Sequence, residues 1–129
     1  MKKIILIAIF ATLLPIQANA SWVIWGGNDQ KEVYFENTRV VKNLKSIDFW
    51  IKVVWLKPWA SIEGKMLISS MQKYRIDCKN EQIALLATNE FADAEATKYI
   101  GEQKFPNPEF KHIAPGSDDE FYMKKICNR

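Results

Sequence analysis

The chain has 129 residues, 18 basic and 15 acidic, with 48% hydrophobic residues and two cysteines. That length suits one ordinary domain with a single core. The charge is nearly balanced and no basic block stands out, which argues against a nucleic-acid ligand or an anionic membrane surface.

The N-terminus reads as a secretion signal. Lys2 and Lys3 make a positive n-region, Ile4 to Leu14 an apolar run broken only by Thr12, and Ala18-Asn19-Ala20 has the small-x-small form that signal peptidase accepts. The run of about 11 residues is too short for a spanning helix, which needs roughly 20. We expect cleavage between Ala20 and Ser21, no membrane span afterwards, and a periplasmic, secreted or cell-surface protein. Ser21 rather than Cys stands directly after the cleavage point, so a lipoprotein is not expected, and without a twin-Arg pair the chain should be exported unfolded. Residues 21–129 then form one domain of 109 residues, in which 16 basic side chains face 15 acidic ones after the loss of Lys2 and Lys3.

In an oxidising compartment the even cysteine count reads as a disulfide, and with only Cys78 and Cys127 the pairing is forced. A bridge closing a loop of about 50 residues should stabilise by about 4 kcal/mol in the chain-entropy account. The two are not in a Cys-x-x-Cys spacing, so the bond reads as structural.

Strand signals follow along the mature chain. Ser21 to Trp25 is a short strand ended by the turn formers Gly26-Gly27-Asn28-Asp29. Glu32 to Phe35 and Thr38 to Val41 are the next two, with Glu36-Asn37 as a tight turn between them. From Ser46 onward, Ile47, Phe49, Ile51, Val53 and Trp55 share one face, and Ser46, Asp48, Trp50 and Lys52 the other. Period two marks a half-buried antiparallel strand. The stretch 59–64 is compatible with one helical turn or a loose loop. Met71 to Cys78 places Tyr74, Ile76 and Cys78 on one face, with Lys73, Arg75 and Asp77 on the other. Gln82 to Thr88 is more apolar on both sides, and Ala96 to Ile100 is a weaker strand closed by Gly101.

The end of the chain is helical. Ser117 followed by Glu120 is a capping box, and Asp118 and Asp119 complement the dipole of the first turn. Tyr122, Met123, Ile126 and Cys127 then share one face, which lies on the sheet.

An aromatic-rich strand after a signal, the central Tyr74-Arg75-Ile76-Asp77-Cys78 strand, Ile113-Ala114-Pro115-Gly116-Ser117 before a short helix and a closing Cys127 together resemble the surface-adhesin protein E family of bacterial envelope proteins. The resemblance implies an α+β, mostly β fold: an antiparallel sheet of about six strands with a C-terminal helix packed on it and one disulfide. It also implies a role in binding host matrix or plasma proteins.

No residue pattern points to catalysis. His112 stands alone, Asp118, Asp119 and Glu120 are explained by the helix start, and neither a Gly-x-Ser-x-Gly elbow nor a Gly-rich phosphate loop is present. We therefore expect no enzyme, no cofactor and no metal. The surplus is aromatic. Trp55 belongs to the core by its phase, whereas Trp50 faces away from it beside Lys52. With Trp59, these form the candidate protein-binding face, because exposed aromatic residues anchor interfaces. The partner is expected to be a protein, either a host protein or an envelope component. The alternative is a periplasmic accessory protein or enzyme inhibitor. The sequence sets no oligomeric state.

Overall fold

A computed structural model of the protein describes residues 21–128; the predicted signal, with Ala20 at its cleavage point, lies outside them. In chain order the described residues form β1 (Trp22–Gly27), β2 (Lys31–Glu36), β3 (Val41–Lys42), β4 (Ile47–Trp55) and the small β5 (Ser61–Ile62) and β6 (Lys65–Met66). Then come β7 (Ser69–Asp77), β8 (Gln82–Phe91), β9 (Tyr99–Lys104), β10 (Lys111–His112) and the helix α1 (Asp118–Cys127).

Eight strands make one antiparallel sheet in the order β1-β2-β4-β7-β8-β10, with β3 also on β4 and β9 also on β8. β2 pairs with β4 from Lys31↔Trp55 to Phe35↔Ile51, and β3 continues along the same edge at Val41↔Asp48 and Lys42↔Ile47. The fold class is the one expected, with eight strands in the sheet instead of about six.

Alternation in the long strands decides what is buried. Val33, Phe35, Phe49, Ile51, Val53, Ile76 and Ile83 make the core side of the sheet, and Tyr122 and Ile126 of α1 close over it. Complete burial of side chains such as Phe49, Ile51 and Ile76 contributes about 1.5–3 kcal/mol each. The β1–β2 register slips between Ile24 and Gly26. Trp25 falls in that slip and stacks on Phe35, ring centres 4.4 Å apart. A bulge re-aims a side chain in this way.

The helix starts where its capping box lies. Ser117 Oγ accepts from Glu120 N at 3.2 Å, while Glu120 Oε1 accepts from Gly116 N at 3.2 Å. Asp118 pairs with Lys31 of β2, and Asp119 with Lys111 of β10 at 3.2 Å. At the other end Cys127 is bonded to Cys78, just after β7, across 49 residues of chain.

Several local expectations differ from the structure. Thr38 to Val41 is not a strand hairpinned to β2; only Val41–Lys42 pairs, and with β4. Glu36 supplies the reason, because its carboxylate accepts from Thr38 N and Oγ1 and ties the segment into a local turn. Residues 59–64 give neither a helical turn nor a loose loop. They lead into the β5–β6 hairpin, turned by Glu63 and Gly64 at φ 52° and 77°. Paired positive φ values match the twist of a two-residue hairpin. The strand expected from Ala96 to Ile100 begins only at Tyr99, because Ala96 lies at φ 58° in a loop organised by Asp93. The Asp93 carboxylate accepts from Thr97 N at 2.9 Å and Lys98 N at 2.8 Å. Gly101 sits inside β9 opposite Glu90 rather than closing it.

Candidate functional site

Because α1 covers one side of the sheet, the even-numbered residues of β2 and β4 and the odd-numbered residues of the first part of β7 form a face without a helix. Register assembles it. Lys52 lies opposite Tyr34 on one side and Met71 on the other, while Trp50 lies opposite Lys73. Trp22 enters from the edge, paired with Glu36.

Cations and rings interleave here. The Lys52 ammonium is 5.2 Å from the ring centre of Trp22 and 5.0 Å from that of Tyr34. Lys73 is 5.9 Å from the ring centre of Trp50. Each such contact is worth about 0.5–1 kcal/mol at an exposed site and more when desolvated. Burial pushes the Lys52 pKa down, with Glu95 acting in the opposite direction. Among the described residues neither Lys52 nor Lys73 is in a salt bridge.

Two of the neighbouring acids, Asp48 and Glu36, are already engaged. Asp48 is buried and holds Arg75 through two bonds of 2.8 and 2.9 Å. Glu36 is only 1% exposed. Its Oε1 accepts from Thr38 N at 2.9 Å, Thr38 Oγ1 at 2.7 Å and Ser21 N at 3.2 Å. Its Oε2 is buried without a hydrogen bond, 3.4 Å from Arg39 Nε. Burial pushes this carboxyl up, but the Thr38 amide and hydroxyl, the Ser21 amide and Arg39 outweigh it and leave the pKa lowered.

Two shallow clefts flank Trp22, one running to Tyr34, Lys52 and Glu95, the other to Glu36, Arg39 and Trp50. A larger cleft lies elsewhere, between the turns that carry Lys42, Lys45 and Lys79. Its walls are mostly exposed turn residues without an aromatic ring, so we place the site on the sheet face.

Of the residues singled out from sequence, Trp50 and Lys52 share this face and Trp59 does not. Trp59 follows the end of β4, 68% exposed, its ring edge-on to Trp55 at 5.8 Å. Trp55 phases with the core side, so Trp59 belongs to a different surface. Trp22, Tyr34 and Lys73 complete the cluster and were not singled out. Alternation in β2 and β7 points Tyr34 and Lys73 this way, but only the pairing order of the strands brings them to Trp50. His112 is exposed on β10 opposite Gln82. Among the described residues no group of three or more His, Cys, Asp or Glu side chains could hold a metal ion, and no helix is long and apolar enough to cross a membrane.

A family model described as surface-adhesin protein E matches residues 22–128. The fold is that of Haemophilus influenzae protein E: its crystal form II superposes with a TM-score of 0.63 at 11% identity, over 88% of this chain and 92% of that one. Protein E from non-typeable Haemophilus influenzae gives 0.63 at 13% identity, over 88% and 80%. The chain is also 29% identical over 116 residues to a glutamate–tRNA ligase of Blochmanniella floridana, a match covering 78% of this chain and 24% of the ligase. It thus spans about a quarter of that enzyme's length. Its sequence has no Gly-rich phosphate loop, and no ligase activity is carried over.

Proposed function

This chain belongs to the surface-adhesin protein E family, and we propose that it is an exported, non-catalytic protein-binding module that uses the helix-free face of its sheet. In this reading residues 1–20 are removed between Ala20 and Ser21, and residues 21–129 act as one domain at the cell surface or in the periplasm without a lipid anchor.

One observation carries the proposal: three half-buried aromatic rings, Trp22, Tyr34 and Trp50, lie on the helix-free sheet face around two ammonium groups that, among the described residues, are in no salt bridge. Trp and Tyr bring large contact area at low entropy cost and anchor interfaces. The lysines define the partner's chemistry. Lys52 and Lys73 are diagonal neighbours on adjacent strands, hence about 7–8 Å apart at the backbone. Carboxylates two residues apart in an extended segment are separated by about 6.6–6.8 Å. An acidic, extended stretch of a partner protein therefore fits the pair, with its intervening backbone across the rings.

The test uses two synthetic extended peptides, one alternating Glu with Val and one alternating Lys with Val. The first should bind, and Trp50→Ala with Lys52→Ala should weaken it at least tenfold while melting temperature stays nearly unchanged. Trp59→Ala should leave binding intact. Equal binding by the double variant, or preference for the Lys peptide, ends the proposal. Labelling of intact cells then separates a surface-exposed adhesin from a periplasmic accessory protein or inhibitor.

A further inference from the structure

Glu36 is a buried carboxylate that the binding face does not use directly, and its surroundings are asymmetric. Oε1 takes three donors, among them Ser21 N at 3.2 Å. Oε2 is buried and accepts no hydrogen bond, and Arg39 Nε forms a salt bridge with it at 3.4 Å. Leaving an oxygen of a buried carboxylate without a hydrogen bond is costly, and Ser21 N already lies on the other oxygen of the same carboxylate.

In the uncleaved chain the Ser21 nitrogen is a peptide amide with one hydrogen. Hydrolysis of the Ala20–Ser21 bond consumes one water, leaves a carboxylate on Ala20 and turns that nitrogen into an α-ammonium with three. We propose that this new N-terminal ammonium is seated on Glu36, so that removal of the leader completes the carboxylate's hydrogen bonding and locks the start of β1. The inference rests on the processing and on the binding face proposed above, and adds how that face is regulated.

The coupling to function is short and covalent. Ser21 is held twice, by its own N–H to Glu36 and by its carbonyl, which accepts from Asn37 N at 3.1 Å. The next residue is Trp22, whose ring lies beneath Lys52 and borders both clefts of the face. β1 is an edge strand, paired on one side only, and the ends of such strands fray unless tied down. A neutral amide supplies one ordinary hydrogen bond to this anchor. An ammonium supplies a charge-assisted one, roughly twice as strong, and carries two further protons. Removal of the leader thus strengthens the anchor that holds Trp22 in the binding face.

The test compares the chain exported with its own leader and processed to Ser21 with a version whose cleavage leaves two extra residues before Ser21, both verified by mass. The processed chain should melt about 5 °C higher, and Glu36→Gln should abolish the difference. Equal melting of the two termini overturns the inference, and so does a difference that survives Glu36→Gln. Should Glu36→Gln fail to fold, reactivity decides: in the native processed chain an amine-reactive ester should modify the Ser21 amine at least tenfold more slowly than in urea, whereas comparable rates refute the pairing. Neither readout involves a partner, so failure of the peptide test leaves this result standing, and the reverse.

Discussion

Removing the disulfide by Cys78→Ala with Cys127→Ala tests what holds α1 to the sheet. The bridge spans 49 residues, for which loop-closure entropy gives about 4 kcal/mol, against a net stability of about 5–15 kcal/mol for such a domain. The other ties of α1 are smaller. Its two ion pairs, Lys31–Asp118 and Lys111–Asp119, are partly exposed and worth about 0–1 kcal/mol each. Tyr122 and Ile126 bury their side chains, about 1.5–3 kcal/mol apiece. A helix of 10 residues is marginal alone in water. Urea unfolding followed by tryptophan fluorescence should therefore show the variant's midpoint about 2 M below that of the oxidised wild type, for a slope near 2 kcal/mol per M. Far-UV circular dichroism should lose α1 in the same transition or earlier. A midpoint within about 0.5 M of wild type would refute the reasoning, because the docked helix would then be held by packing alone.

Gly27→Ala should cost about 1–3 kcal/mol in thermal melts, because a Cβ there would come within 2.8 Å of Lys31 O and 3.2 Å of Glu32 Cα, both backbone. Gly101→Ala meets nothing within 4 Å and should stay within about 0.5 kcal/mol of wild type. The lowered pKa of Glu36 makes it a source of acid sensitivity: its contribution is complete above its ordinary value of 4.5 and lost as pH falls through the lower folded-state value. Urea midpoints measured from pH 6 to pH 3 should thus fall less steeply in Glu36→Gln than in wild type, and an identical slope would remove Glu36 from the account.

The sheet was legible because its long strands alternate without interruption. Ile47 to Trp55 and Met71 to Cys78 carry period two across nearly their whole length, and the capping box at Ser117 and Glu120 marks α1 to the residue. Short elements were not legible, because hydrogen bonds from single side chains override local preference there. Asp93 gathers the Thr97 and Lys98 amides and delays β9, and Glu36 captures Thr38 and cuts β3 to two residues. At the binding face, phase alone separated Trp50 and Lys52 from the core. The partners Trp22, Tyr34 and Lys73 needed the strand order β1-β2-β4-β7, which alternation within one strand does not contain. Trp59 was grouped with them through proximity in sequence, and the turn after β4 carries it to a different surface.

The most direct test of the binding face is lysine acetylation with and without saturating Glu-Val peptide, read by mass spectrometry. Lys52 and Lys73 should be protected several-fold, with Lys65 and Lys124 labelled equally in both samples. Protection at Lys65 or Lys124 with Lys52 and Lys73 unchanged would contradict the assignment and move the binding surface away from the open side of the sheet.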